Sequence, residues 1–197
     1  MIDLPEHPAP NGATPALVDF GGFNTPALGG EVQRIDRMGN RFRAQFSFPP
    51  MPSLDIGRVF VSRLIRGKTE GIRLPWPLLS FDPGAPGVIV VNGAGQSGRS
   101  LTVRSGNPHY VIREGQFFSV VKSGRHYLHV ADAQVILDAS GAGTVPLSPM
   151  LRVPFPDGAV CHFAKPMIEG YVQGAEWAWQ MALDHNFGIS FAVEEAA

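Results

Sequence analysis

Phe42, Ala44, Phe46 and Phe48 alternate with Arg41, Arg43, Gln45 and Ser47, the cleanest two-residue period in the chain. Successive strand side chains point to opposite faces, so Arg41–Phe48 is predicted to be a half-buried antiparallel strand, one face on a core and one in water. Asp36-Arg-Met-Gly-Asn40 supplies the hairpin turn before it, and Ala16–Phe20 and Val32–Asp36 read as strands separated by a Gly/Pro loop. The period then lengthens. Ile56, Val59, Phe60, Arg63 and Leu64 recur at helical spacing. This predicts one helix over Ser53–Arg66, capped by Ser53, stopped at Gly67 and lying against the sheet that carries Phe42–Phe48.

From Arg99 to Arg152 the chain reads as short strand, tight turn, short strand, with no room for a helix. Leu101–Arg104, His109–Arg113, Phe117–Val121, His126–Val130, Ala133–Leu137 and Thr144–Leu147 are the predicted strands. Asn107-Pro108, Glu114-Gly115, Ser123-Gly124 and Ser140-Gly141 are turns between them. Such a meander builds a compact β-barrel or sandwich. Further strands are predicted at Val160–Ala164, Ile168–Val172, Trp177–Leu183 and Ile189–Val193. The fold class is therefore mainly β: an antiparallel β-sandwich with one flanking helix, plus a small β-barrel-like meander. The expected division is an extended N-terminal arm over 1–15, a sandwich domain over 16–82 and 155–197, and the small barrel over 83–154.

Composition narrows the functional classes. The 197 residues, 44% hydrophobic and 17% charged, suit an ordered globular chain, and 23 glycines and 18 prolines sit at turn spacing and not in repeats. A formal net charge of -1 argues against a nucleic-acid binder. Arg34, Arg37, Arg41 and Arg43 are accordingly read as a solvated strand face. The single cysteine, Cys161, excludes an internal disulfide and a Cys-based zinc site; it is expected in a strand as a small apolar residue. The start lacks the basic and apolar regions of a signal peptide, and no apolar run is long enough to span a membrane, so synthesis and folding in a reducing cytoplasm are expected. The arm, with Pro5, Pro8, Pro10 and Pro15, is expected to avoid sheet ladders and either to be loose or to reach a neighbouring subunit.

The motifs that mimic active sites fail on physical grounds. Gly93-Ala-Gly95-Gln-Ser-Gly98 follows an apolar strand, but a dinucleotide site needs a helix starting at the third glycine, and Arg99–Gly106 followed by Pro108 leaves no room for one. Gly67-Lys68-Thr69 has Ser62 where a phosphate loop needs its first glycine, and Arg99 stands where a nucleophile elbow needs glycine. His126 and His129 are three apart on a strand and face opposite sides, so they cannot share a metal. Asp132 and Asp138 read as turn residues. No catalytic, cofactor-binding or metal-ligating set emerges, and the chain is expected not to be an enzyme.

Three phrases carry a likeness: Ile112-Arg-Glu-Gly-Gln-Phe-Phe-Ser-Val, His126-Tyr-Leu-His-Val-Ala-Asp-Ala, and Asp138-Ala-Ser-Gly-Ala-Gly-Thr-Val-Pro-Leu-Ser-Pro-Met-Leu-Arg152. Together with Gly-Ala-Gly-Gln-Ser-Gly before them and the strand-rich end closing on Glu194-Glu195, the chain over 60–195 resembles the distal-tail or minor tail proteins of long-tailed bacteriophages. Gln116 departs from the pattern, which usually has an acidic residue after the glycine. The resemblance implies a structural virion protein of the tail tip: a closed ring, hexameric by analogy, joining the tail tube to the baseplate hub beside the tape-measure protein. It implies no cofactor, no sequence-specific nucleic-acid binding and no membrane insertion. On that reading Pro5, Pro8 and Pro10 of the arm, with Arg63, Arg66 and Arg73, are the candidate subunit contacts. The rival expectation is a carbohydrate-binding module for host-surface recognition, with Trp76, Trp177, Trp179 and Tyr171 as its stacking aromatics.

Overall fold

The computed structural model describes residues 1–5, 7–78, 80–176 and 186–196. It is mainly β, with one α-helix among the described residues and a closed six-stranded barrel. In chain order the strands before the barrel are β1 Ile2–Asp3, β2 Gly12–Val18, β3 Gly22–Asn24, β4 Gln33–Ile35 and β5 Arg41–Pro52; helix α1 Arg58–Glu70 and β6 Ile72–Pro75 follow. Then come β7 Gly87–Val91, β8 Gln96–Gly106, β9 Val111–Ile112, β10 Phe117–Lys122, β11 Arg125–Ala131, β12 Val135–Ile136, β13 Gly143–Phe155 and β14 Val160–His162. Strands β15 Met167–Val172 and β16 Asn186–Glu195 end the order; the predicted Trp177–Leu183 strand lies outside the described residues.

The first sheet runs β1-β6-β15-β16-β5-β2. The alternation read along Arg41–Phe48 holds: Phe42, Ala44, Phe46 and Phe48 are buried, and Ile189, Phe191 and Val193 of β16 extend the same core. Residues 1–15 are extended but pair within this sheet. β1 lies parallel to β6 at one edge, Ile2 opposite Ile72, and β2 lies antiparallel to β5 at the other, Gly12 opposite Ser47. The described residues between them, 4–5 and 7–11, therefore cross one face of the sheet as a strap, with Leu4 packed against the core. The prolines do not exclude ladder pairing here, because Pro15 sits on an edge strand where one side of the backbone needs no partner.

The helix covers that same face. Phe60 places its ring 4.8 Å from Phe48, and Leu64 is fully buried. Two details differ from the reading over 53–66. Ser53 caps nothing and instead opens a π-helical turn, Ser53–Gly57, that leads into the α-helix. The stop is Gly71, which takes the left-handed φ of 74°, and not Gly67. Gly67 lies on the buried helix face against Ile72 and Val172, where any side chain would collide.

Strands β6 and β15 pair directly, Met167 opposite Pro75 and Gly170 opposite Ile72, so everything between them is an insertion into the sheet. The insertion folds as the barrel β10-β11-β13-β8-β7-β14. Ser123-Gly124 makes the two-residue turn between β10 and β11 with φ of 51° and 76°, the twist that a hairpin requires. Two predicted strands shrink. His109 takes φ 58°, which ends extended pairing there, and what remains, β9 and β12, pairs as a small ribbon outside the barrel wall. Val160–His162, expected in the sandwich over 155–197, instead completes the barrel, with Cys161 opposite both Ile89 and Val120. Without it β7 and β10 would be open edges.

Sheet and barrel meet through a wall that is buried on both sides. Phe118, Val120 and Tyr127 point into the barrel, while Phe117, Leu128 and Val130 point out into the core of the sheet. Phe117 wedges between Phe42 (5.3 Å) and Trp76 (4.9 Å). Two buried glutamates lock this seam. Glu195 of β16 accepts the backbone N–H of Phe42 at 2.8 Å, that of Leu128 at 2.8 Å, and Nη2 of Arg152 at 2.6 Å. Glu169 of β15 accepts Nε of Arg73 at 2.8 Å and the N–H of His126 at 3.3 Å, while Nη2 of Arg73 donates to the carbonyl of Gly124 at 2.6 Å.

Glu195→Ala should cost about 3–5 kcal/mol, because Arg152 is then left buried without its carboxylate. Adding Arg152→Met should recover much of that loss, since no charge then remains inside. Urea unfolding of the parent, single and double variants checks this, and equal losses in single and double variants would contradict the pairing.

Candidate functional site

The structure gathers Pro5, Pro8 and Pro10 and scatters the three arginines. The prolines, with Leu4, Leu74 and Trp76, line an apolar pocket of about 260 Å³ between the strap and the sheet. Arg63 is beside it but engaged: its Nη1 donates to the carbonyl of Asp3 at 2.7 Å and ties the strap to the helix. Arg66 pairs with Glu70 one turn on, at 2.8 Å, on the exposed helix face. Arg73 is spent on the seam with Glu169.

A second feature carries no polar signature. The chain leaves the β2–β5 ribbon at Val18, runs out as the β3–β4 hairpin, and returns at Arg41. β3 and β4 pair only with each other, Phe23 opposite Arg34. Along this excursion Phe23 is 66% exposed, Leu28 at the tip 100% and Met38 62%, and Leu17, Phe20, Val32 and Ile35 are exposed as well. An isolated two-stranded ribbon is marginal in water, and two of its rings lie under guanidinium groups, Phe23 under Arg34 at 5.1 Å and Phe20 under Arg41 at 4.8 Å. Its base is pinned by charge: Arg34 reaches Asp19 at 2.6 Å and Asp36 at 2.9 Å, and Arg99 of the barrel reaches Asp36 at 2.6 Å. Arg34 and Arg41, read as a solvated strand face, thus serve as struts, the second through Glu194 at 2.6 Å.

A cavity of about 580 Å³ lies between the segment after Trp76 and the turn before β9. Phe81, Asp82, His109, Tyr110 and Arg113 face it. The Tyr110 hydroxyl donates to the carbonyl of Pro83 at 2.7 Å and accepts from Gln116 at 2.9 Å, and burial pushes its pKa up. Arg113 lies over the Phe81 ring at 5.6 Å, and Asp82 accepts the N–H of Gly84 at 2.8 Å. These groups hold one another in a binding-type arrangement of ring, carboxylate and guanidinium, without a nucleophile set against a base.

The histidines are placed as their spacing required. His129 points into the barrel, and His126 points out, where its ring stacks on His162 at 5.3 Å. That cross-strand meeting has no signal in the sequence, because the two residues belong to strands joined only through β10. Among the described residues no three His, Cys, Asp or Glu side chains are grouped to hold a metal ion. Burial pushes the Cys161 thiol up to about 12, which keeps it protonated inside β14. Asp138 accepts the N–H groups of Ser140 and Ala142, the turn role expected of it.

No helix among the described residues is long and apolar enough to cross a membrane. Comparison with known proteins finds no family model that matches the chain and no curated protein that matches it.

Burial, followed by the charge of Arg73 and of His162, lowers His126 to about 4, and burial with the charge of Arg152 lowers His129 to about 3. The fold therefore keeps both imidazoles neutral, while the unfolded chain takes up protons near pH 6.5. Their contribution to stability is full above that pH and falls as the pH drops toward those lowered values, by about 1.4 kcal/mol per unit for the fully buried His129 and by less for the partly exposed His126, whose charge solvent screens. Urea unfolding across this range should show a shallower fall for His129→Phe than for the parent. Identical slopes would show that His129 is not buried neutral.

Proposed function

We propose that this chain is a structural protein of a bacteriophage tail tip, a ring subunit joining the tail tube to the baseplate hub, and not an enzyme. The observation that carries the reading is the protruding apolar hairpin over 19–40, a surface that a solitary chain has no use for. The frame around it supports the same role. A barrel inserted between two paired strands and pinned by buried carboxylates is a stiff body, and stiffness is what a ring element needs. The resemblance in Ile112–Val120, His126–Ala133 and Asp138–Arg152 supplies the setting: a closed hexamer beside the tape-measure protein, at the tip of the virion's tail. Electron microscopy of tail particles containing this chain should show it as a closed ring. A single copy per intact particle would overturn the proposal.

The second reading, a carbohydrate-binding module for the host surface, has one observation in its favour, the cavity with Phe81, Asp82 and Arg113. The aromatics first suspected do not serve it. Trp76 is 3% exposed and packed on Phe42 and Phe117, and Trp177 and Trp179 lie outside the described residues. Of that set Tyr171 is exposed. If this reading holds, the purified chain binds a bacterial surface glycan and Asp82→Ala abolishes binding while leaving the unfolding midpoint in place. Binding that survives Asp82→Ala would remove the cavity from consideration.

A further inference from the structure

Resting on the assembly reading, we propose that the hairpin tip at Leu28 of one subunit docks into the proline-and-tryptophan pocket under the strap of a second copy, with the flanks of the hairpin lying along that strap. Three observations lead there. The tip is a shaped knob: Gly29, at φ 81°, donates its N–H to the carbonyl of Pro26 at 3.3 Å, which closes the turn and leaves Leu28 wholly exposed. The pocket is a matching hole of about 260 Å³, walled by Leu4, Pro5, Pro8, Pro10, Leu74 and Trp76, and among the described residues that line it the indole is the one hydrogen-bonding side chain. The area is also sufficient. At roughly 200 Å² per large side chain, the exposed fractions of the apolar residues from Leu17 to Met38 amount to an area on the order of 800 Å², which matches the roughly 800 Å² that each partner brings to a standard stable interface.

Knob and hole are different parts of one chain, and within the chain they do not meet, since Leu28 is fully exposed. A contact between unlike patches of identical molecules is heterologous, so each bound copy presents a free knob and a free hole. Such an arrangement propagates until it closes, which is how a ring forms. A symmetric hairpin-to-hairpin pairing would stop at a dimer and leave the pocket empty. The strap supplies a rigid receiving surface at low entropic cost, because Pro5, Pro8 and Pro10 are already restricted in φ and the strap is paired at both ends, through β1 and β2. Arg99 and Asp36 hold the base of the knob, so the hairpin presents its tip in a defined direction.

The test uses two full-length variants at exposed positions, Leu28→Asp in the knob and Ala9→Glu at the pocket, each first shown to keep the parent's circular dichroism and thermal midpoint. Native mass spectrometry at high micromolar concentration should show closed rings for the parent and monomers for either variant alone. Mixing the two should give a one-to-one heterodimer and nothing larger, because the tip of the Ala9→Glu chain still fits the pocket of the Leu28→Asp chain. Rings in the parent that persist in either variant would overturn the docking while leaving the assembly reading intact. So would loss of rings in Leu28→Asp alone, which points to paired hairpins. A parent that stays monomeric at every concentration would overturn the docking in favour of a different protein as the hairpin's partner, and the microscopy of whole particles then decides the assembly reading separately.

Discussion

Everything in this molecule turns on how a barrel inserted between two neighbouring strands is held in one orientation. Hydrophobic packing at the seam, with Phe117 between Phe42 and Trp76, supplies attraction without direction. The carboxylate of Glu195 supplies direction. It binds the backbone of its own sheet at β5, the backbone of β11 and the side chain of Arg152 on β13, so a shift of the barrel by one residue breaks the two contacts that cross the seam together. Burial pushes this carboxyl above its ordinary range, against the pull of Arg152 and the amides of Leu128 and Phe42, and that opposition is why the geometry must be kept. Glu169 repeats the device one strand away with Arg73. Polar groups so placed make the wrong arrangement expensive more than they make the right one tight.

The two-part body gives the flexible-looking parts of the sequence defined shapes. The proline-rich start is pulled across its own sheet and paired at both edges, which turns a loose end into a wall of a pocket. The hairpin over 19–40 pairs Asp19, Arg34 and Asp36 with one another and with Arg99 of the barrel, and carries exposed apolar residues along its flanks and at Leu28, with Glu31 in the same turn. That is the reverse of an ordinary surface loop, whose tip is polar.

Much of the fold was legible because period-two burial is a local property. The strand at Arg41–Phe48, the closing strand at Ile189–Val193, the Ser123-Gly124 turn and the meander over 99–152 all follow from alternation and turn residues. The helix was legible in existence and not in extent, since Gly67 serves packing against Ile72 and reads as a stop only in isolation. The long strand β13 was hidden by Pro146, Pro149 and Pro154, which the ladder accommodates with a shift of register after Pro146. Of the six suspected contact residues, the three prolines converge on one pocket, while Arg63, Arg66 and Arg73 each have a partner inside the chain. The exposed hairpin was missed because Phe23, Leu28 and Ile35 look, in a sequence, like residues bound for a core.

Composition and alternation determine the class of the molecule: short strands, one amphipathic helix and a glycine loop with no helix behind it. They do so because each depends on neighbours in the chain, where side-chain direction is dictated by backbone geometry. What pairs with what was decided only in three dimensions. That β14 shuts the barrel, that His126 lies on His162, that β1 and β2 pair at opposite edges of the sheet, and that a glutamate next to the last described residue clamps the middle of the chain, all depend on partners tens of residues apart. Such meetings are selected by the joint burial of two separate cores, and no local pattern records them.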